Sequence, residues 1–459
     1  RVEKDGIDAI APLYCLPVPA KGTMATVDWP SSAGVGVLHK YHAVRDAAAV
    51  ELLRRHHGIL FGKTNVPEFA ASWVTCNYAN GCTLNPYNTA LTTGGSSGGA
   101  ASAVASHIVP VAFTEDTGGS TRHPATQNHI FGYDPSRGRY PNTGNPGMTY
   151  TNDQVGITSR SMEDILAFDA AFLNISEIHR KVSHNAPKKS AGLRIGVPTY
   201  PFVEFYFPKD GQNSFNLPTL PNKIRVSSSI FDKFNTAISA LKAAGAHIVR
   251  KEWPEKNGRN AVETLLSSRK VNGKPYDHLT QVLHSFSGQM AEYVRNYLNA
   301  SVSLKDIFDD TYPAGHGHNP KGLFSASGVT DESQYRYTLG YFIHEMVDVW
   351  NSYFDKHGVD VLMAPSQFCD AITYECMAGN TCYSEMELSL TQCNLISYYL
   401  FKSIPIPKVT APIGLDAKGN PVSVTFWGRS GPKSSRDKKW LYDNDAMLEG
   451  DVVFLHNIA

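Results

Sequence analysis

Several features are scarce in this 459-residue chain, and each scarcity excludes a class of protein. No apolar run reaches the about 18 residues that a membrane-spanning helix needs, so no membrane span is expected. The 42 basic and 42 acidic residues give a net charge of zero, and no basic run exceeds a few residues, so nucleic acid is not expected as a partner. No internal repeat or linker divides the chain, which predicts one domain over residues 1–459.

Cysteine is also scarce, and its pattern excludes the common zinc sites. The seven cysteines form no CxxC pair, and no histidine–cysteine cluster has zinc spacing, so no metal is predicted. Two close pairs, Cys76/Cys82 and Cys376/Cys382, are predicted to form disulfides on proximity alone.

The expected location rests on a second pattern. Asn174 and Asn299 lie in N-glycosylation sequons, Asn-Ile-Ser and Asn-Ala-Ser. The first residue, Arg1, is not methionine, which predicts a leader or prosegment that was removed or not included. Together with the close cysteines, these features favour a secreted or lumenal protein over a cytoplasmic one. The sequence does not determine the oligomeric state, and a homodimer is one state that it allows.

Hydrophobic residues make up 42% of the chain and charged residues 18%, which is typical of a globular protein with a sizeable core. Strand and helix signals alternate, which favours an α/β fold. Helices are predicted over 46–57, 99–107, 226–244, 261–269, 279–298, 331–356 and 391–402, and strands over 12–21, 59–61, 108–113, 359–365, 408–415 and 422–428. Strand 59–61 and strand 359–365 are predicted to be buried.

Two serine–glycine segments, Gly94–Gly99 and Asp116–Ser120, dominate the stretch from Thr92 to Pro124. Glycine at this density costs backbone entropy, so it indicates that the backbone must pass close to something or that its N–H groups must converge. The second segment follows a strand-like run and ends in a hydroxyl. Such a segment can supply a nucleophile together with an oxyanion hole made of backbone N–H groups.

This stretch resembles the signature segment of the amidase signature family of serine hydrolases, which reads GGSSGG, then D-x-GGS-x-R-x-PA. The matching positions of the second part are Asp116, Gly118, Gly119, Ser120, Arg122, Pro124 and Ala125. Ser120 lies 24 residues after Ser96, as in the family pattern. The resemblance extends from about residue 12 to about residue 455 and is weakest between roughly 198 and 355. It implies an α/β fold, a single large domain whose mixed β-sheet is covered by helices on both faces.

The resemblance implies a Ser-Ser-Lys triad: Ser120 as nucleophile, Ser96 as proton relay and Lys21 as base. The stretch PLYCLPVPAK resembles the family strand that delivers the catalytic lysine, and Lys21 lies 75 residues before Ser96. Burial would keep this lysine neutral at neutral pH. His123 is the nearest histidine to Ser120, but it has no recognisable hydrolase context. Lys63, in a GKTN segment that also resembles the family, is interpreted as structural.

The backbone N–H groups of the second segment are predicted to form the oxyanion hole, with polar neighbours supporting it. The predicted donors are Thr117, Gly118, Gly119 and Ser120, and the predicted supporting residues are Ser97, Asp116 and Arg122.

The predicted reaction is hydrolysis of a carboxamide C–N bond through an acyl-serine intermediate, without metal or organic cofactor. The predicted partner is a small-molecule amide, and an aryl or alkyl primary amide is the hypothesis because residues 200–207 are rich in aromatics. The segment GRYP at residues 138–141 most resembles the corresponding segment of indoleacetamide and mandelamide hydrolases.

Three departures from the family pattern keep a second hypothesis open, a catalytically inactive relative with a binding or structural role. Gly22 stands where the pattern has an acidic residue, Asp134 where it has lysine, and Ile157 where it has proline. A glutaminase subunit of a tRNA amidotransferase fits poorly, because such a subunit is cytosolic or organellar whereas this chain carries sequons and close cysteines.

Overall fold

Strands and helices alternate along the chain in a computed structural model that describes residues 13–185, 191–206, 223–267, 269–276, 280–310, 331–370, 401–431 and 444–459. The strands β1 to β18 are, in order, Pro17–Lys21, Ile59–Thr64, Cys76–Asn77, Gly81–Cys82, Val111–Asp116, Phe131–Asp134, Gln154–Ser159, Arg194–Gly196, Glu204–Tyr206, Lys223–Arg225, His247–Val249, Glu255–Lys256, Arg259–Asn260, Lys270–Val271, Lys274–Pro275, Val361–Pro365, Lys408–Leu415 and Pro421–Trp427. The helices α1 to α12 are Ala48–Arg55, Gly98–Ala105, Arg122–Gln127, Met162–Phe172, Ser176–Asn185, Ser228–Ala243, Ala261–Leu266, Thr280–Asn296, Leu304–Asp309, Glu332–Tyr337, Ile343–His357 and Asn444–Ile458.

Eight strands form one mixed sheet in the order β11-β8-β16-β18-β17-β6-β7-β5. The pairs from β5 to β16 are antiparallel, and β16, β8 and β11 are parallel. Strands β1 and β2 form a separate parallel pair, and β1 packs against β5 of the large sheet. This packing brings the N-terminal strand next to the segment that follows β5.

Both faces of the sheet are covered, as β16 shows. Its residues Val361 and Met363 enter one hydrophobic cluster, which contains residues of α4 and α6. The alternating residues Leu362 and Ala364 enter a second cluster, which contains residues of α11. Because successive side chains of a strand point to opposite faces, helices lie on both sides, and the predicted α/β fold with a helix-covered mixed sheet is confirmed.

Most predicted elements are confirmed within a few residues, including α1, α6, α8, α11, β16, β17 and β18. The helix predicted over 261–269 is shorter and ends at Leu266. The prediction that strand 59–61 is buried is wrong: Ile59 and Phe61 are 46% and 54% exposed, because β1 is the one strand among those described that pairs with β2. The predicted helix 391–402, apart from its last two residues, and the pair Cys376/Cys382 lie outside the described residues.

Two further observations concern the described ranges alone. Within them, no three His, Cys, Asp or Glu side chains are grouped so that they could hold a metal ion. None of the helices described there is both long enough and apolar enough to cross a membrane.

Candidate active site

The first serine–glycine segment turns sharply into helix α2 and packs tightly on neighbouring backbone. An ideal Cβ at Gly95 would lie 2.6 Å from the carbonyl carbon of Trp73, and one at Gly99 would lie 2.4 Å from the backbone nitrogen of Asn65. Gly94 has a φ of +70°, and the Gly95–Ser96 peptide bond is cis. The glycines are therefore required by close backbone contact, one of the two explanations that their density suggested.

The second segment is closed by the carboxylate of Asp116 at the end of β5. Its two oxygens accept hydrogen bonds from the backbone N–H groups of Gly119 and Thr121, at 2.7 and 3.1 Å. The fully buried guanidinium of Arg122 donates to both oxygens at 3.1 Å. Arg122 and Lys402 hold the pKa of Asp116 well below its usual range. Asp116 therefore fixes the turn that carries Ser120.

Lys21, at the end of β1, reaches the first segment from the side. Its side chain is fully buried, and its Nζ donates to Ser96 Oγ at 2.9 Å and to the carbonyl oxygen of Glu115 at 3.2 Å. Burial lowers the pKa of Lys21, although the nearby carboxylates, Glu115 first, oppose that shift. The neutral amine, which can accept a proton, is thus favoured relative to a lysine in water.

Ser120 lies beside Ser96 but is not linked to it through its hydroxyl. The carbonyl oxygen of Ser120 accepts the N–H of Ser97 at 3.2 Å, and Ser120 is 6% exposed. Its hydroxyl makes no hydrogen bond to any residue that the structure describes. The Lys21–Ser96 contact is therefore formed in this state, whereas the hydrogen bond between Ser96 and Ser120 is not. Hydrogen bonds of this kind often form only when substrate binds.

Three of the four predicted oxyanion donors remain available. Among the described residues, no acceptor takes the backbone N–H of Thr117, Gly118 or Ser120. Gly119 corrects the prediction, because its N–H is committed to Asp116 at 2.7 Å. The indole Nε1 of Trp73 donates to the carbonyl oxygen of Gly118 at 3.1 Å and so holds this peptide in place.

The supporting serine and the two rejected bases have structural contacts. Ser97 Oγ contacts both the backbone N–H and the carbonyl oxygen of Glu115 at 3.3 Å, which joins α2 to β5. His123 Nδ1 accepts the N–H of Gly95 at 3.4 Å, and burial lowers the pKa of His123 to about 4. Lys63 donates to the carbonyl oxygen of Met24, and burial lowers the pKa of Lys63 to about 7.

Two acidic residues near the site were not among the sequence candidates. The carboxylate of Glu115 lies 3.7 Å from Lys21 Nζ. Asp153 accepts the hydroxyl of Thr117 at 2.6 Å and the N–H of Thr149 at 2.8 Å, and burial raises the pKa of Asp153 to about 7. The signal for Glu115 was present in the sequence, since an acidic residue ends an otherwise apolar run directly before Asp116.

The departure at Asp134 is balanced by lysines from a distant part of the chain. Asp134 accepts hydrogen bonds from Lys402 at 2.7 and 2.9 Å and from Lys408 at 3.0 Å, and it lies 3.7 Å from Arg122 Nε. Lys408 stands directly opposite Asp134 in the pairing of β17 with β6. An acid where the family pattern has a lysine is thus paired with lysines here.

The other two departures also have local structural explanations. Ile157 is fully buried in β7 and stands opposite Phe113 on one neighbouring strand and Tyr133 on the other. A central strand needs backbone N–H groups for its hydrogen bonds, and isoleucine has one whereas proline does not. At Gly22, an ideal Cβ would lie 2.8 Å from the carbonyl oxygen of Thr64, so no acidic side chain fits without displacing β2.

The predicted modification sites lie on the surface or in a short hairpin. Asn174 and Asn299 are exposed, follow helices α4 and α8, and have positive φ values of 56° and 46°. Asparagine tolerates this conformation, which accounts for its presence at both helix ends. Cys76 and Cys82 are joined by a disulfide across the pair β3–β4.

Comparison with known proteins extends over nearly the whole chain. A family model described as Amidase matches residues 3–433. A glutamyl-tRNA(Gln) amidotransferase subunit from a Nitratiruptor species is 27% identical over 446 residues, covering 95% of this chain and 89% of the relative. The native peptide amidase from Stenotrophomonas maltophilia has a similar structure, with a TM-score of 0.67 at 20% identity over 99% of this chain and 84% of that one. The 6-aminohexanoate cyclic dimer hydrolase complexed with substrate gives a TM-score of 0.66 at 20% identity, covering 96% and 85%.

Proposed function

Because this chain belongs to the amidase signature family, we propose that it is an active amidohydrolase, in which Ser120, Ser96 and Lys21 cleave a carboxamide C–N bond. The family match supports amide hydrolysis in general. The observation that carries the triad is the 2.9 Å contact between Lys21 Nζ and Ser96 Oγ, buried beside Ser120.

In the proposed mechanism, Ser120 Oγ attacks the carbonyl carbon while its proton passes to Ser96 Oγ and the proton of Ser96 passes to Lys21 Nζ. The N–H groups of Thr117, Gly118 and Ser120 stabilise the developing oxyanion, and loss of one such donor typically costs about 2.7–4 kcal/mol of barrier. The proton then returns through Ser96 to the departing nitrogen, which leaves as ammonia or an amine. Water releases the acyl group by the same relay.

We propose a linear amide as substrate, without the preference for aryl groups that the aromatic segment 200–207 suggested. Within that segment, Tyr200 and Phe205 are only 4% and 1% exposed and belong to the second hydrophobic cluster. They are part of the core, so they give no support to an aryl substrate. A panel of benzamide, alkyl amides, peptide amides, glutamine and a cyclic amide dimer tests the class, and turnover of the cyclic dimer alone would contradict it.

The relatives named as amidotransferase subunits motivate a second candidate, a glutaminase that works with protein partners. The two functions differ in substrate. The purified chain alone should hydrolyse a simple amide at least as well as glutamine if it is an independent amidohydrolase. Preference for glutamine that appears only in the presence of other subunits would favour the second candidate.

We also propose that the protein is a secreted or lumenal glycoprotein. The exposed sequon residues Asn174 and Asn299 and the Cys76–Cys82 disulfide support this. Expression with a secretory leader should give a product whose mass falls on glycosidase treatment, and an Asn174→Gln/Asn299→Gln variant should not respond. Light scattering of the same material decides between monomer and homodimer.

Labelling by a fluorophosphonate probe tests the triad. The wild type should be labelled, Ser120→Ala should not be, and Lys21→Ala should lose most of the labelling rate. Lys63→Met is the control, because it removes a half-buried lysine that contacts Met24 and Thr26 rather than the serines. Absence of labelling in a well-folded wild type would favour the inactive relative.

A further inference from the structure

The carboxylate of Glu115 lies against the side-chain nitrogen of Lys21 in a site closed to water. Glu115 Oε2 is 3.7 Å from Lys21 Nζ, and the two side chains are 8% and 1% exposed. The hydroxyl of Thr23 donates a hydrogen bond to the same oxygen and fixes the carboxylate in this place. The carbonyl oxygen of Glu115 accepts from Lys21 as well, at 3.2 Å. Position 115 therefore contacts the lysine through both its backbone and its side chain.

This arrangement stands in place of the acidic residue that the family pattern has directly after the lysine. Gly22 occupies that position, and its ideal Cβ would lie 2.8 Å from the carbonyl oxygen of Thr64 and 2.9 Å from Val66 Cγ2. A side chain cannot enter there while β1 and β2 stay paired. The carboxylate next to Lys21 comes from β5 instead, the strand against which β1 packs.

The geometry points to Glu115 as a positioning residue that holds the side chain of Lys21 against Ser96 and sets the pH at which the relay becomes active. This inference rests on the proposed function. When the proton of Ser96 moves to Lys21 Nζ, an ammonium ion forms 3.7 Å from the carboxylate. An opposite charge at this distance favours the ammonium, so Glu115 makes Lys21 a stronger base than burial alone would allow.

Among the described residues, the other charged groups near Glu115 and Lys21 are bound by other residues or act more weakly on Lys21. Asp116 and Asp153 also favour the charged form of Lys21. Asp116, however, is bound by Arg122, and Asp153 by Thr117 and Thr149. On the other side, the ammonium of Lys63 and the hydroxyl of Tyr293 are close enough to interact electrostatically with Glu115. Removing Glu115 therefore removes the strongest of the charges that raise the pKa of Lys21.

The test is the fluorophosphonate labelling rate from about pH 5 to about pH 10, in the wild type and in Glu115→Gln. The base must be neutral, so the rate rises as pH passes the pKa of Lys21. In Glu115→Gln this rise should move to lower pH by about 1 to 3 units, while the plateau rate falls because the base is weaker. A purely structural role would lower the rate at every pH and leave the midpoint unchanged, which would overturn the inference.

Control variants separate this effect from general damage. Glu115→Asp keeps the charge at a shorter reach and should give a smaller shift in the same direction. Glu68→Gln removes another buried carboxylate, which accepts from the N–H of Tyr78, and should leave the midpoint unchanged.

A second readout keeps the inference distinct from the proposed function. A ¹³Cε-lysine NMR titration, assigned with Lys21→Ala, measures the Lys21 midpoint directly. If the wild type is never labelled, the proposed function fails, and the NMR midpoint alone then decides whether Glu115→Gln moves the titration of Lys21. An unmoved midpoint in this titration overturns the inference.

Discussion

Replacing Asp134 by asparagine is expected to destabilise the protein strongly, because Asp134 is one of two carboxylates that balance three buried cations. It accepts hydrogen bonds from Lys402 and Lys408 and lies 3.7 Å from Arg122 Nε. The side chains of all four are at most 2% exposed. The substitution leaves Asp116 as the remaining carboxylate beside Arg122, Lys402 and Lys408. Because the cluster is closed to solvent, water cannot replace the lost charge.

The expected size follows from the burial of the cluster. Removing one partner of a buried ion pair typically costs about 3–5 kcal/mol. An unfolding entropy of roughly 2.1 cal/mol/K per residue gives this 459-residue chain a total of about 1 kcal/mol/K. The midpoint of thermal unfolding, measured by circular dichroism, should therefore fall by about 3–5 °C in Asp134→Asn.

Lys408→Met is the matched control, because Lys408 is the cation that the cluster can best spare. Burial lowers the pKa of Lys408 to about 7, so at neutral pH it is only partly charged. Methionine has a similar length and no charge to desolvate. This variant should therefore lower the free energy of unfolding by less than Asp134→Asn does. Equal losses of unfolding free energy in the two variants would refute the reasoning. So would a fall of less than about 1 °C in the unfolding midpoint of Asp134→Asn.

The Lys408→Met variant should also change how the stability of the protein depends on pH. The pKa of Lys408 is about 7 in the folded protein and 10.5 ordinarily, so between these values the unfolded chain binds more protons. The wild type therefore gains stability from this group as pH rises through that window. Lys408→Met lacks the gain, so its unfolding midpoint relative to the wild type should be highest below pH 7 and should fall towards pH 10.5.

Three further predictions concern stability and use the same thermal assay. Gly22→Asp and Gly22→Ala should both lower the free energy of unfolding by about 1–3 kcal/mol, because any side chain overpacks this position. A loss of stability in the aspartate variant alone would indicate that its charge, and not its size, is responsible. Burial lowers the pKa of His456 below 6.5, so the unfolded chain takes up a proton there before the folded protein does. The stability of the wild type should therefore fall relative to that of His456→Phe as pH drops through 6.5, and parallel curves of unfolding midpoint against pH would contradict this. Cys76→Ser/Cys82→Ser removes the disulfide that closes a short loop and should lower the free energy of unfolding by about 2 kcal/mol; an unchanged unfolding midpoint in the double variant would contradict this.

The sequence predicted those parts of the site that its motifs share with the amidase signature pattern. The resemblance of the two serine–glycine segments and of the strand that ends at Lys21 implied that Lys21 and Ser96 act together, and the structure contains a contact between them. The turn of Asp116 and Arg122 is likewise local, because both lie within one short segment. The resemblance implied the α/β fold, and the alternating strand and helix signals agreed with it.

What the sequence did not predict depends on contacts between distant or hidden groups. The role of Glu115 needs the packing of β1 on β5, which no spacing rule supplies. Gly119 was counted as an oxyanion donor because its N–H matches the motif, but only the folded turn shows that Asp116 takes it. The exposure of Ile59 and Phe61 arises because β2 lies outside the main sheet, and an apolar run alone cannot reveal that.

The order of strands in the main sheet has a consequence for how the protein is made. Strands β17 and β18 come late in the chain yet lie between β6 and β16, which are formed from earlier residues. During synthesis, the two halves of the sheet must therefore wait for the last strands before they can join. The same late segment brings Lys402 and Lys408 to Asp134, next to the turn of Ser120. A ribosome-bound or truncated chain that ends before this segment should contain all three residues of the proposed triad but lack the lysines that hold the loop of Ser120. The proposed hydrolytic activity should therefore arise only once synthesis is almost complete.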